Sequence, residues 1–186
     1  VALSLAREGC QVAICARIAR PLKEAARAIH EETGAEVVTI PADVSRIADT
    51  AAFADRARAA YGGVDILVTN AGGPPAGRFE FLSEEQWAKA YDLTLMSAVR
   101  LVRTVVPTMR ARGGGSIVAL TSISVKQPID DLLLSNAMRA AVVGLVKTLA
   151  RELASDRIRV NAIAPGFIAT DMTATLNDAI RERVLG

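Results

Sequence analysis

The sequence predicts a single α/β domain, residues 1–186, in which helices cover both faces of a doubly wound parallel sheet. Short apolar stretches rich in β-branched residues alternate with longer stretches of helical spacing along the chain. Aromatic residues make up 4% of the chain, and hydrophobic residues, mainly aliphatic, make up 51%. This composition favours helices packed on a buried aliphatic sheet over a β-sandwich or barrel. No internal repeat and no low-complexity linker divides the chain.

Five apolar stretches are predicted to be strands. They are continuous rather than alternating, which is typical of strands buried on both faces. They lie at 11–16, 36–40, 64–69, 116–120 and 157–163.

Helices are predicted in the intervals between the strands, at 1–8, 21–33, 45–61, 83–112 and 136–155. Gly9, Gly34 and Gly62 stand where the first three end, as is usual for helix C-termini. Ser83 and Gln86 have the spacing of a capping box at the start of the fourth. The chain begins with Val1 inside a helix, so we expect it to be a segment of a longer protein.

Composition also excludes several classes of function. The net charge of +2 does not favour nucleic acid as a partner. No apolar run reaches the roughly 20 residues of a membrane span, and no signal peptide is evident. Cys10 and Cys15 have no other cysteine or histidine cluster beside them, so we expect no metal site, and we expect buried thiols in a reducing cytoplasm.

In parallel sheets of this kind, ligands bind at the carboxyl ends of the strands. Polar or Gly-rich turns follow the predicted strands and mark where a site should lie. They are residues 16–17, 43–44, 70–73, 121–122 and 165–170.

Three of these turns carry motifs. Residues 65–72 (DILVTNAG) resemble the D-I/L-L-V-N-N-A-G strand of the short-chain dehydrogenase/reductase family. Residues 158–170 (IRVNAIAPGFIAT) resemble the family's I-R-V-N-x-I-x-P-G-x-x-x-T, and residues 116–122 (SIVALTS) resemble its G-x-I-V-x-x-S-S. Because all three occur in the family's order, the chain resembles this family, with most similarity to its 3-oxoacyl-[acyl-carrier-protein] reductase-like branch.

The resemblance implies a Rossmann-type sheet with strand order 3-2-1-4-5-6-7. Residues 11–16 would then be strand two and residues 157–163 strand six, so this sequence lacks the first strand, its Gly-rich phosphate loop and the last strand. Strands two and four would lose their shared neighbour and expose unpaired edges. We expect the chain alone to fold poorly or to recruit a replacement strand, and to bind dinucleotide weakly.

The resemblance also implies a nicotinamide dinucleotide. The turn after strand two contains Arg17 and no acidic residue. Arginine fits a 2′-phosphate, which favours NADP over NAD. The alternative is that Arg17 is only a solvent-exposed loop residue. By resemblance, Asp43 and Val44 flank the adenine, and Asn70, Ala71 and Gly72 line a ribose. The residues expected to meet the nicotinamide end are Pro165, Gly166, Ile168 and Thr170.

The resemblance places catalysis at the end of the predicted strand 116–120. In the family a serine orients the carbonyl, a tyrosine donates a proton, a lysine lowers the pKa of the tyrosine, and an asparagine supports a water chain. Ser122 matches the serine, but Ser135, Arg139 and Thr94 stand where the tyrosine, lysine and asparagine are expected. Arginine stays protonated and cannot relay a proton, but it can hydrogen-bond a ribose or stabilise an oxyanion. A water held by Ser135 and Arg139 is another candidate donor.

Three functions therefore remain open: an NADP-dependent reductase of a small carbonyl substrate with altered proton delivery, a dinucleotide-binding protein without turnover, and a structural subunit. The family's helices 83–112 and 136–155 build an oligomer interface, which predicts a homo-oligomer (dimer or tetramer). Each of these helices carries a stripe of aliphatic residues, which could pack either in that interface or against the chain's own sheet. The stripe residues are Leu93, Val99, Val102, Val106, Val142, Val146 and Leu149. The expected pocket border comprises Phe79, Phe81, Met172 and the loop 126–134.

Overall fold

A computed structural model describes residues 1–166 and 168. Every pair of neighbouring strands in it is parallel, which confirms the predicted α/β class. The strands are β1 (Val12–Ala16), β2 (Val37–Pro41), β3 (Ile66–Thr69), β4 (Gly115–Leu120) and β5 (Ile158–Ile163). The helices are α1 (Ala2–Arg7), α2 (Ala19–Thr33), α3 (Ile47–Tyr61), α4 (Glu84–Ala90), α5 (Ser97–Ala111) and α6 (Leu133–Glu152).

The helix predicted over 83–112 is divided into three parts. It begins as expected, because the Ser83 hydroxyl accepts from the Gln86 amide while the Gln86 side chain accepts from the Ser83 amide. Between α4 and α5, residues Tyr91–Met96 form a π-helical turn. Such turns are rare and occur often at functional sites, and this one carries Thr94.

The helix predicted over 136–155 begins earlier and ends earlier, at Leu133 and Glu152. Ser135 therefore lies in the first turn of α6 rather than before it. Leu134, which we expected in a loop bordering the pocket, is fully buried. Its apolar side chain is drawn into the core, which starts the helix sooner than the predicted boundary.

The main core lies between the sheet β3–β4–β5 and the two long helices α5 and α6. Val102 and Val106 of α5, and Val142 and Val146 of α6, are buried in it against strand residues such as Ile117. These four valines had been candidates for an oligomer interface, and that interpretation is wrong for them, since they cover the chain's own sheet.

α6 is the one described helix that is long and apolar enough, with a mean hydropathy of 1.3, to cross a membrane. Core helices pass the same test of length and composition. Here α6 packs along β5.

The five described strands form two separate sheets, β1–β2 and β3–β4–β5. A groove of about 860 Å³ separates β1 from β3, and its walls include Val12, Ile14 and Leu67. Phe53 of α3 and Val105 of α5 contribute to the same apolar lining. The facing edges of β1 and β3 have no strand partner among the described residues, as expected for a chain without the family's first strand.

Because unpaired apolar strand edges promote association, we expect the 186-residue chain to associate at micromolar concentration. Size exclusion with light scattering should show species above the monomer mass, and thermal unfolding by circular dichroism should be broad. A monomer with a sharp cooperative transition would contradict this prediction.

Candidate functional site

The turn after β2 is held in shape by its own side chains. The Asp43 carboxylate accepts from the Ser45 hydroxyl at 2.7 Å and from the Ser45 amide at 3.0 Å. The Asp43 amide in turn donates to Asp49 at 2.8 Å. The Ser45 hydroxyl and amide lower the pKa of Asp43, and the guanidinium groups of Arg17 and Arg46 add to this effect. Two exposed cations therefore flank a preorganised carboxylate, and Val44 beside it is half-buried and faces the groove.

The turn after β3 leaves its backbone open. Asn70 and Gly72 are exposed and Ala71 is half-buried. A Cβ added at Gly72 or Gly73 would meet no atom within 4 Å. The backbone of this turn can therefore approach a ligand closely.

The ends of β4 and β5 are joined by hydrogen bonds. The Thr121 amide and hydroxyl both donate to the Ile163 carbonyl, at 2.8 and 2.9 Å. The Ile123 amide donates to Pro165 at 2.8 Å. Pro165 is half-buried, and Gly166 and Ile168 are exposed. The structure thus brings the proposed nicotinamide segment beside Ser122, while Thr170 and Met172 lie outside the described residues.

Ser122 is half-buried directly after the end of β4. Its hydroxyl oxygen accepts from the Ser124 amide at 3.2 Å. Because this bond uses an oxygen lone pair, the hydroxyl proton remains available to a carbonyl oxygen.

Ser135 and Arg139 lie one turn apart on α6 and are hydrogen-bonded to each other. Arg139 Nε donates to Ser135 Oγ at 3.1 Å, while Nη1 donates to the carbonyls of Leu120 and Thr121 at 3.2 and 3.0 Å. The guanidinium therefore ties α6 to the end of β4. Burial lowers the pKa of Arg139, and no carboxylate of the described residues forms an ion pair with it.

A small cavity lies beside Arg139. Its volume is about 10 Å³, and Thr69, Thr94 and Thr121 contribute to its walls. Thr94 is 5% exposed, and its hydroxyl has no hydrogen-bond partner among the described residues. A cavity of this size with polar walls is close to the minimum that holds one water.

The sequence did not indicate Arg100, which connects two parts of this region. Its guanidinium donates to the Ser45 carbonyl and to the Asp92 carboxylate, each at 2.6 Å. Its partners are distant in sequence, so no local pattern pointed to these contacts.

The residues expected to border the pocket differ in their exposure and in their contacts. Phe79 and Phe81 are strongly exposed, and Asp131 of the loop forms an ion pair with Arg78 at 2.6 Å. Asn136 holds the same loop, donating to the Ile129 carbonyl at 2.9 Å.

The donor set fits the two ends of a dinucleotide. Arg17 and Arg46 are exposed cations in the turns after β1 and β2, and the open Gly72–Gly73 backbone and the Ser122 hydroxyl lie in the turns after β3 and β4. In the described part of the chain, no three His, Cys, Asp or Glu side chains come together in a group that could hold a metal ion.

Comparison with known proteins agrees with this geometry. The sequence profile of the family described as short chain dehydrogenase matches residues 1–181. Dehydrogenase/reductase SDR family member 4 of Oryctolagus cuniculus is 37% identical over 95% of this chain and 68% of its own length. The 3-oxoacyl-[acyl-carrier-protein] reductase of Staphylococcus epidermidis is 35% identical over 100% of this chain and 76% of its own length.

Solved structures show the same fold. L-Sorbose reductase from Gluconobacter frateurii, in complex with NADPH and L-sorbose, has a TM-score of 0.90 and 36% identity over 98% of this chain and 72% of its own. A 7α-hydroxysteroid dehydrogenase in complex with NADH and 7-oxo glycochenodeoxycholic acid has a TM-score of 0.92 and 30% identity over 98% of this chain and 71% of its own. The chain therefore belongs to the short-chain dehydrogenase/reductase family and is similar to its 3-oxoacyl-[acyl-carrier-protein] reductase branch.

Proposed function

We propose that this chain is an NADP(H)-dependent oxidoreductase that reduces a ketone or 3-oxoacyl carbonyl, with Ser135 and Arg139 replacing the family's tyrosine and lysine. The observation that carries the proposal is the 3.1 Å hydrogen bond from Arg139 Nε to Ser135 Oγ. It leaves the proton of Ser135 free to donate and keeps a fixed cation beside the hydroxyl.

The bound cofactor would supply a hydride to the carbonyl carbon. The chain's own groups would act on the carbonyl oxygen: Ser122 donates a hydrogen bond that orients it, and Ser135 transfers a proton to the developing alkoxide. Arg139 stabilises the negative charge left on Ser135 until solvent returns the proton. Because a serine hydroxyl is far less acidic than a phenol, with its pKa of about 10, this route is slower than the family's.

The charge at the end of β1 and β2 supports NADP over NAD. Arg17 is exposed directly after β1, in a turn that has no acidic residue, so a 2′-phosphate placed there would meet its guanidinium. The solved relatives use both forms, since the L-sorbose reductase complex holds NADPH and the hydroxysteroid dehydrogenase complex holds NADH.

A dinucleotide-binding protein without turnover is the second candidate. The observation that favours it is that Arg139 Nη1 is already engaged by the carbonyls of Leu120 and Thr121. A guanidinium bonded in this way mainly holds α6 against the end of β4, so fewer of its N–H groups remain available to a substrate.

Turnover separates the two candidates. The 186-residue chain is assayed with NADPH against ketones and 3-oxoacyl thioesters, in parallel with the same chain joined to the segments of the staphylococcal reductase that it does not cover. We expect slow NADPH oxidation in the joined chain, lowered about a hundredfold or more by Arg139→Ala, since loss of one stabilising donor costs that much.

Arg151→Ala is the matched control, because Arg151 is exposed on the same helix, and it should leave the rate unchanged. Tight NADPH binding without turnover would support the second candidate. No binding in either chain would contradict both and leave a purely structural role.

We also propose that the chain forms a homo-oligomer through the outer faces of α5 and α6. We further propose that it is located in the cytoplasm. Ala140, Ala141 and Gly144 are exposed on α6, and small residues there permit close helix approach. Cys10 and Cys15 are free thiols, half-buried rather than buried as predicted, and free thiols suit a reducing compartment. In the light-scattering measurement given above, Gly144→Arg should block association through α6 but not through the strand edges.

A further inference from the structure

Arg100 is held between two segments that the proposed function uses separately. Its side chain is only 15% exposed. One arm of the guanidinium donates to the Ser45 carbonyl and the other to Asp92 Oδ1, each at 2.6 Å. The planar fork of arginine allows both contacts at fixed relative positions, which a lysine ammonium cannot reproduce.

The first segment is the loop after β2. Ser45 shapes that loop by donating from its hydroxyl and its amide to Asp43. Arg100 donates a hydrogen bond to the carbonyl of the same residue, so it restrains the backbone that positions the Asp43 carboxylate. A shift of Arg100 would therefore move the loop at which Arg17 and Arg46 gather.

The second segment is the π-helical turn Tyr91–Met96. Asp92 lies at its start, and Thr94 lies two residues further on, lining the cavity shared with Arg139. Ser97 fixes the end of the turn by donating to the Leu93 carbonyl at 2.5 Å. The Arg100 contacts with Asp92 and with the Ser45 carbonyl thus link this turn to the loop after β2.

Burying the Arg100 side chain costs free energy of folding. This cost argues against the Arg100–Asp92 ion pair being an incidental surface contact. Its Nε is buried with no hydrogen-bond partner among the described residues, and a buried donor left without a partner is destabilising. The two short contacts made by the rest of the guanidinium offset that cost only while both partners stay in place.

We propose that Arg100 is a positioning residue that couples the loop at Asp43–Ser45 to the π-helical turn, so that nucleotide bound at the loop fixes the position of Thr94 beside Arg139. This inference rests on the proposed function, because it takes the loop as the adenine end of the cofactor site. It assigns Arg100 no contact with substrate or cofactor.

The test uses amide hydrogen exchange of the joined chain described above, because the 186-residue chain alone is expected to bind dinucleotide weakly. Hydrogen exchange needs no turnover. Adenosine 2′,5′-bisphosphate is the probe, because it carries the adenine and the 2′-phosphate without the nicotinamide. In the unaltered chain, saturating probe should slow exchange of the amides at 91–97 about fivefold or more, the lower end of typical coupling between sites. In Arg100→Met the probe should still slow exchange at 43–46 but no longer at 91–97.

Arg103→Met is the matched control, because Arg103 is exposed on the same helix; it should behave like the unaltered chain. Arg100→Lys should retain probe binding but recover only part of the coupling. The same thermal unfolding midpoint in Arg100→Met and Arg103→Met would rule out a general loss of stability as the cause.

Three results would overturn the inference: equal protection of 91–97 in Arg100→Met and the unaltered chain, no protection of 91–97 by bound probe, or no probe binding at millimolar concentration. Failure of the proposed function is recognised separately, by the absence of NADPH turnover. A chain that shows the coupling without turnover keeps the inference and loses the reductase.

Discussion

Changing Ser135→Tyr together with Arg139→Lys is expected to raise the rate of carbonyl reduction about 10²–10⁴-fold, the range that one well-placed general acid supplies. Position 135 lies in the first turn of α6, half-buried, with residue 139 one turn further along the same face. A phenol there would extend further than the serine hydroxyl, and a neighbouring ammonium would lower its pKa towards neutrality.

Ser135→Phe with Arg139→Lys is the control, because it adds the same ring without the hydroxyl. It should show no gain. The rate of NADPH oxidation at saturating ketone is the measurement, in the joined chain described above. An equal gain from tyrosine and phenylalanine would show that packing rather than proton donation changed, and no gain from the tyrosine pair would contradict the proposed position of the catalytic site.

The single changes carry further information. Arg139→Lys alone should lower the thermal unfolding midpoint, because an ammonium cannot donate to Ser135, Leu120 and Thr121 in the geometry that the guanidinium uses. Ser135→Tyr alone places a phenol beside a guanidinium, which also lowers its pKa and should give part of the gain.

Ile117→Ala is expected to destabilise the fold by about 3 kcal/mol, within the range for truncating a buried isoleucine. Ile117 lies at the centre of β4 and is 1% exposed, with α5 and α6 packed around it. Removing the side chain leaves a cavity in the core cluster that also contains Met109 and Val160. Urea unfolding followed by circular dichroism measures the change.

Ile47→Ala is the matched control. Ile47 is 68% exposed at the first position of α3, so its truncation should change stability by less than about 0.5 kcal/mol, as for most surface substitutions. A loss at Ile117 no larger than that at Ile47 would contradict the packing described for β4.

The parts of the fold predicted from sequence are those set by local chemistry. The apolar runs placed all five strands within a few residues, and the glycines at 34 and 62 ended α2 and α3 with left-handed backbone, at φ values of 71° and 74°. The π-helical turn at Tyr91–Met96 was not predicted, because its six residues have an ordinary helical pattern and the distortion follows from packing.

The candidate site likewise contains contacts set by local sequence and contacts set only by tertiary packing. The sequence singled out Ser135 and Arg139 but placed Ser135 before the helix. Their direct contact follows from one helical turn of spacing once α6 begins at Leu133. Arg100 reaches Ser45 across 55 positions, and only the packing of α3 on α5 brings the two together. The inward orientation of the valines on α5 and α6 likewise depended on which face meets the sheet, which two stripes of similar hydropathy do not decide.

The groove between β1 and β3 has a consequence for cooperativity. No strand hydrogen bond joins the two sheets in the described part of the chain, so their association depends on side-chain packing, chiefly of α3 against α5. Backbone hydrogen bonds resist partial opening, whereas a packed helix pair separates more readily. In this 186-residue chain we therefore expect the β1–β2 half to open as a separate subglobal unit while the β3–β5 half stays folded. The hydrogen bond from Arg100 to the Ser45 carbonyl is a polar contact that crosses between the two halves.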